Sequence, residues 1–396
     1  MIYKNKISLT LISFFSYFLT GSLVIVTGMI MGNIAKFFNT SLSSMSYTFT
    51  ILNFGILMAI CLNTWIKNYI SFKIQIYFGY ICIIVAILAL IYSKNLIIFS
   101  MSMFILGIVS GITMSIGTFF ITYLYDGHQR AIVLLITDSF FSMAGMVFPF
   151  ISSMILSYQK PWYWIYILIG IIYSIIFIIA INTNFPQLNN YLNNKKTINQ
   201  KKPIKINIII LSISATCYIL GQLGFISWIP EYIMQTKHLT INQAGKLVSY
   251  FWMLYMIGMW IFSIILNFIN IKKLFLFLTG TSTILMYLFI NNQEINKLEY
   301  LIALLGFFSS AIYTIIITLA SLQTKKPSVK NINLILISGT IGTLLTFIIT
   351  SVIVEKKGIY AVLITSNILY AIVFILSITL NFFTINKSII KNYIKK

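Results

Sequence analysis

Polar residues interrupt the chain at short intervals, and between them lie apolar runs of about 20 residues or more, the length a membrane-spanning helix needs. These runs cover residues 8–31, 44–66, 74–92, 96–124, 131–157, 162–182, 206–229, 243–268, 274–291, 299–322, 332–354 and 359–383, twelve in all. The first follows only Lys4 and Lys6 and is longer than the roughly 7–15 apolar residues of a signal-peptide core. It continues through Gly28-Met-Ile-Met-Gly32 without a small-x-small cleavage site, so it reads as a retained helix. The pattern predicts an all-α integral membrane protein with twelve transmembrane helices.

The interruptions carry the topology. With the N-terminus inside, nineteen of the 27 Lys and Arg fall in cytoplasmic segments, among them Lys67, Lys73, Arg130, Lys195, Lys196, Lys272, Lys273, Lys325 and Lys326. Eight fall outside, with the acids Glu231, Glu294, Glu299 and Glu355. The positive-inside rule then places both termini in the cytoplasm. The longest polar stretch, Asn182 to Asn207, holds Pro186, Pro203 and five Lys and divides the chain six plus six. It reads as a solvated linker near anionic headgroups. The domains expected are 1–182, a first six-helix bundle, 183–206, a cytoplasmic linker, and 207–396, a second bundle. A shift of about 200 residues lays Leu106-Gly107-Ile108-Val109-Ser110 on Leu305-Gly306-Phe307-Phe308-Ser309, and Gly21 on Gly221. Two parallel half-repeats of this kind are a transporter architecture.

Composition narrows the chemistry. Hydrophobic residues make up 59% of the 396 residues and charged ones 8%, far from the roughly 25% charged of a soluble domain. The net charge of +21 would suggest nucleic acid in a soluble protein, but the stretch from Asn95 to Tyr125 holds no charge at all. A nucleic-acid partner is therefore not expected. All basic residues but Arg130 are Lys, and Ile and Asn abound, a bias typical of A/T-rich codons. Two His, three Cys without metal spacing and no phosphate-cradling G-x-x-x-x-G-K-[ST] argue against a metal site, a cofactor, an ATP-driven pump or an enzyme. Cys61, Cys82 and Cys217 lie in apolar runs and read as small buried hydrophobes. His128 and His238 read as solvated loop residues.

Several segments resemble the major facilitator superfamily, and within it the fucose–proton symporter branch. Tyr218-Ile-Leu-Gly-Gln222 and Ser227-Trp228-Ile-Pro-Glu-Tyr232 are similar to that branch's helix 7 patterns Y-x-G-x-E and S-W-x-x-x-Y. Gly306-Phe-Phe-Ser-Ser310-Ala-Ile-Tyr313 is similar to its helix 10 pattern G-x-F-N-S-x-x-F, and helix 5 carries Phe140, Ala144 and Pro149 at matching places. Over the whole chain, segments such as Thr20–Asn33, Phe104–Thr118 and Asp138–Gly145 resemble the TsgA family. The resemblance implies two pseudo-symmetric six-helix bundles, a small-molecule substrate bound between them, alternating access, and a monomer in a bacterial inner membrane. The sequence also departs from the pattern. The superfamily's G-x-x-x-D-R-x-G-R-R loop is replaced by Asn63-Thr-Trp-Ile-Lys67-Asn-Tyr-Ile-Ser-Phe-Lys73, helices 1 and 4 contain no acid, and Gln222 stands where the branch has Glu.

Asp138 is the one acid well inside a predicted span, and it aligns with a helix 5 Gln that faces the symporters' cavity. Such a residue usually faces the bundle interior or water. It reads either as a proton carrier or as a residue fixing a cytoplasmic gate, in a pair with Arg130. Asp138, Ser142, Gly145 and Pro149 share one helical face. Pro149 is read as the only Pro inside a span, Pro230 being placed at a span end, so Gly145 and Pro149 are hinge candidates. Substrate-cavity candidates are Gln222, Asn53, Ser110, Thr113, Ser142, Ser309, Ser310, Tyr313 and Trp228. Against these stand plainer roles: an interhelical hydrogen bond for Gln222, back-bonding to carbonyls for the Ser and Thr residues, and an interfacial anchor for Trp228. Gly28-x-x-x-Gly32 and Gly107-x-x-x-Gly111 are read as packing motifs. The function expected is secondary transport of a small polar solute, with protons as a coupling partner through Asp138 and lipid as surroundings. The alternative is a non-transporting sensor on the same scaffold.

Overall fold

A computed structural model describes residues 2–66, 69–92, 94–125, 127–185, 206–266, 268–292, 294–321 and 329–393. Most of the linker 183–206 lies outside the described residues. Among those described the secondary structure is entirely helical: α1 (Ile2–Phe37), α2 (Leu42–Ile66), α3 (Phe72–Tyr92), α4 (Leu96–Leu124), α5 (Gly127–Ser157), α6 (Tyr163–Ile181), α7 (Ile206–Thr236), α8 (Ile241–Ile265), α9 (Ile271–Asn291), α10 (Ile295–Ser309), α11 (Ile312–Ser321), α12 (Val329–Lys357) and α13 (Ile359–Tyr393). With α10 and α11 forming one crossing, twelve segments are long and apolar enough to span a membrane.

Two segments differ from expectation. The seventh helix does not stop at Ile229 but runs through Pro230 to Thr236, so Pro230 is a second interior proline and Glu231 is buried. A proline removes only the donor to the carbonyl four residues back, here that of Ile226, and buried surroundings can carry the helix past it. The tenth crossing is broken at Ser310-Ala311. The cysteines also differ: Cys61 is exposed, and Cys82 and Cys217 are half-buried. An apolar face in a membrane helix can meet lipid, so an apolar run does not imply burial.

The helix ends use the chain's surplus of Asn and Lys. Asn95 and Asn270 accept from the backbone N–H two residues on, at 2.8 and 3.0 Å, as N-capping side chains do, and Asn292 accepts from that of Glu294 at 2.9 Å in the turn after α9. Lys73 Nζ donates to the carbonyls of Ile181 and Thr183 at the end of α6, and Lys237 Nζ to that of Asn292 beyond α9. A cation at a helix C-terminus answers both the orphan carbonyls and the dipole.

The described contacts fall into two compact units, Met1–Lys201 with His238–Ser249, and Lys202–Lys237 with Tyr250–Lys396. In the first, α1 is central and packs on α5, α4, α6 and α2, while α2 lies along α4 and α3 between α4 and α6. In the second, α7 is central among α11, α12 and α13, with α9 against α13 and α10. The half-repeat has a structural counterpart. The missing Cβ of Gly107 lets the Leu52 carbonyl approach α4, and that of Gly306 lets the Phe251 carbonyl approach α10. Each partner lies the same distance along the chain from its counterpart in the other half, about 200 residues.

The α2–α4 seam has three such approaches. A Cβ at Gly55 would stand 2.6 Å from the Phe104 oxygen, and one at Gly111 2.6 Å from the Ile56 oxygen. Without a hydrophobic driving force between helices in lipid, such close backbone packing holds them together. Gly107→Ala is expected to destabilise the purified protein by about 1–3 kcal/mol, since backbone must move to admit the methyl group. Thermal unfolding in detergent measures it, and an unchanged midpoint would contradict the close approach.

Candidate functional site

Each unit has its own polar centre, built around its central helix. On α1 the hydroxyls of Thr10, Ser13, Tyr17 and Thr20 follow steps of three, four and three, which keeps them on one face. That face meets α4. Thr10 Oγ1 and Tyr125 Oη are 3.0 Å apart, and Ser13 Oγ donates to the Gly117 carbonyl at 2.9 Å. Tyr17 Oη meets Thr118 Oγ1 at 2.9 Å, and Ser110 Oγ donates to Thr20 Oγ1 at 2.9 Å. The uncharged pairs zip α1 to α4 between Thr10 and Thr20.

On its other side α1 packs on α5. Phe14 and Phe140 stack with ring centroids 4.5 Å apart. A Cβ at Gly21 would stand 3.0 Å from the Phe141 Cα and 3.1 Å from the Ala144 Cβ. About one turn before the Gly21–Phe141 approach, Tyr17 and Asp138 come level with each other, close enough for the Asp138 charge to act on the Tyr17 phenol. The Asp138 side chain is exposed. Among the described residues no hydrogen bond or ion pair engages its carboxylate. Arg130 lies on α5, but its side chain is outside the described residues, as is that of His128, whose backbone belongs to α5 rather than to a loop.

The rest of the α5 face is buried: Ser142, Gly145 and Pro149 all turn inward. The helix runs unbroken through Pro149. Pro149 deprives the Gly145 carbonyl of its helical donor, which ties the two hinge candidates to one weak point. The first turn of α8 leans on this stretch, with the Gly245 Cβ position 2.9 Å from the Pro149 oxygen.

In the second unit the centre is the break between α10 and α11. Tyr218 Oη, on α7, donates to the Ser309 carbonyl at 2.7 Å. Ser309 Oγ donates to Ser282 Oγ on α9 at 3.4 Å, and Tyr370 Oη on α13 reaches Ser309 Oγ at 3.5 Å. Ser310 Oγ turns back to the Phe307 carbonyl at 2.8 Å. All five side chains are essentially inaccessible. Interrupted backbone at membrane depth persists only where protein or a wet cavity satisfies it, and here the Tyr218 hydroxyl supplies a donor that the helix ladder does not. Gly258 and Gly306 let α8 close over the break.

Gln222 lies one turn beyond Tyr218, 3% exposed, and its Nε2 has no partner. Trp228 is wholly buried, and its Nε1 has none either. Its burial replaces the interfacial-anchor reading. Asn53 on α2 is 5% exposed with an unpartnered Oδ1. Unsatisfied buried polar atoms are rare in native proteins and mark places where another molecule belongs. Three of the sequence-derived candidates therefore hold unused hydrogen-bonding capacity. The others spend theirs internally. Thr113 bonds the Val109 and Ser110 carbonyls, Ser110 bonds Thr20, Ser309 and Ser310 serve the helix break, and Tyr313 packs over Gly339. Residues missed from the sequence are Tyr17, Thr118, Tyr370 and Ser282. The α1 stripe was detectable in its spacing. The other partners come from distant helices, with no local signal.

The Major Facilitator Superfamily model matches residues 9–329. The protein TsgA homolog of Buchnera aphidicola subsp. Schizaphis graminum is 58% identical over 94% of this chain and 96% of its own length. That of Yersinia enterocolitica is 51% identical over 97% of this chain and 98% of its own. Among solved structures, the nucleoside transporter NupG is similar in fold, with a TM-score of 0.69 and 12% identity over 94% of this chain and 98% of that one.

Tyr218→Phe leaves the Ser309 carbonyl without its hydroxyl donor and is expected to lower stability by about 1–3 kcal/mol. Tyr370→Phe removes a bond at the limit of hydrogen-bonding distance and should have the smaller effect. Unfolding midpoints of the two variants compare them directly, and the reverse order would count against the role given to Tyr218.

Proposed function

Because the chain belongs to the Major Facilitator Superfamily and, within it, to the TsgA homologues, we propose that this multi-pass membrane transporter is a secondary active carrier of a small polar solute, coupled to protons through Asp138. It works in a bacterial inner membrane as a monomer with both termini cytoplasmic. The two six-helix bundles, 1–182 and 207–396, are the moving bodies of an alternating-access cycle, joined by 183–206.

One observation carries the coupling. A carboxylate inside a span costs about 2.5–3.5 kcal/mol on insertion scales and normally faces water or a partner. Asp138 is exposed on its span and engaged by no hydrogen bond among the described residues. Its face is therefore wetted rather than turned to lipid. A carboxylate there can take up a proton as –COOH and lose it again, a change of one charge inside the membrane. The change in charge alters the electrostatic cost of moving the group from one aqueous side to the other, which is what coupling requires. The unpartnered N–H donors of Gln222 and Trp228 in one unit, and the unpartnered Asn53 acceptor in the other, are each available to a solute. The weak point at Gly145 and Pro149 lets α5 bend as access alternates. The lack of charge around these groups favours a neutral or cationic solute over a highly charged anion.

A screen of solutes for thermal stabilisation of the purified protein comes first, because a ligand that binds only the folded state raises its apparent stability. The solute so found is then followed into proteoliposomes. Asp138→Asn is expected to abolish accumulation driven by a proton gradient while sparing counterflow exchange, and unimpaired accumulation would remove the coupling role. Pro149→Ala is expected to slow turnover and to change accessibility labelling from the two sides. Unchanged kinetics and labelling would remove the hinge.

A further inference from the structure

The pairing between α1 and α4 fixes the hydrogen-bonding polarity of the surface that faces Asp138. Thr118 has one hydroxyl proton, and Thr118 Oγ1 donates it to the Met114 carbonyl at 2.9 Å. Its contact with Tyr17 Oη, also 2.9 Å, must then be made with Tyr17 as the donor. The phenol proton points to α4, and what remains on Tyr17 is acceptor capacity. Asp138 stands across from it on α5. The register is set by the close approach of Gly21 to Phe141 and Ala144, about one turn beyond Tyr17 on α1 and Asp138 on α5. An ionised carboxylate is acceptor-only. Tyr17 has no proton left to give it, and no hydrogen bond joins the two.

Two acceptors thus face one another with no donor between them, at an exposed position inside a span. We propose that Asp138 and Tyr17 form a subsite for a hydrogen-bond-donating group of the transported solute, a hydroxyl or a protonated amine, with Thr118 as the positioning residue that holds the phenol in its acceptor state. This rests on the transporter reading above and names the class of solute: one that presents donors to the first unit. An ionised carboxylate has no proton to offer here and is repelled. Gln222 Nε2 and Trp228 Nε1 in the second unit have the opposite polarity, unpartnered donors that call for acceptors.

The test uses purified full-length protein and three probe series of matched size at neutral pH: neutral polyols, amino alcohols carrying a protonated amine, and aliphatic monocarboxylates without hydroxyl groups. The readout is the thermal unfolding midpoint against probe concentration. At least one donor-bearing series is expected to stabilise the protein and the monocarboxylates are not. In Tyr17→Phe the concentration for half-maximal stabilisation by that series should rise about tenfold, the effect of losing one buried hydrogen bond. Thr118→Val is isosteric and leaves Tyr17 in place, but frees its proton to turn toward Asp138. Donor probes should weaken there by a similar factor, which keeps the test available even if Tyr17→Phe does not fold. Stabilisation by monocarboxylates alone, by no donor series, or by donor series equally in wild type and both variants overturns the subsite. Vesicle flux separates this from the transport reading. Donor probes that bind as expected but do not cross would remove transport and leave the subsite. Flux unaffected by either variant would remove the subsite alone.

Discussion

Inside a bilayer there is no water to complete a hydrogen bond, and the rest of this structure follows from that absence. Every backbone group must be satisfied within its own segment, which makes the spans helical. Hydroxyls face the same demand. Ser16, Thr27, Ser102, Thr279 and Thr350 each turn back to a carbonyl three or four residues earlier. Where the helix ladder fails, at Ser310-Ala311, a tyrosine from another helix takes over. Small residues do what hydrophobic attraction cannot do in lipid, by letting backbones touch at Gly55, Gly107 and Gly111.

Against so thorough a satisfaction of polar groups, the exceptions stand out. Ten buried side-chain atoms among the described residues have no hydrogen-bond partner, Asn53 Oδ1, Gln222 Nε2 and Trp228 Nε1 among them, and Asp138 is exposed without one. None of these four groups is needed to hold a helix, and each would be more stable replaced by an apolar group if packing were all that mattered. A carrier needs this kind of incompleteness. Its binding groups must be unsatisfied until the solute arrives, and its protonatable group must be reachable by water.

The spans were legible because the bilayer turns a structural requirement into composition: a run of about 20 apolar residues has few other uses. Asp138 was legible for the same reason, as an acid where acids are costly. The break in the tenth crossing was not, because no proline or glycine lies at Ser310-Ala311. The hydroxyl that satisfies it, that of Tyr218, lies more than 90 positions away in the chain. The extension of α7 past Pro230 was hidden by the polar look of Pro-Glu-Tyr, which imitates a helix end while being buried by neighbours the local pattern does not contain. Trp228 shows the same limit, since a tryptophan near the end of an apolar run looks like an anchor until its surroundings are known. The basic residues, read from the sequence as topology, include Lys73 and Lys237, whose ammonium groups finish helices.

The hydroxyl stripe of α1 bears on how the protein is made. Thr10, Ser13, Ser16 and Thr20 each bond a carbonyl of α1 itself, at 2.7–2.9 Å. The helix can therefore leave the ribosome and rest in lipid with these groups already content, although the α4 residues that will meet it are made about a hundred residues later. Tyr17 is the exception on that face, since its phenol finds its partner only on Thr118. The first helix thus waits in the membrane with one bond outstanding, and the arrival of α4 both completes it and sets the direction of its proton. The polarity of the surface beside Asp138 is settled during synthesis, as part of assembly.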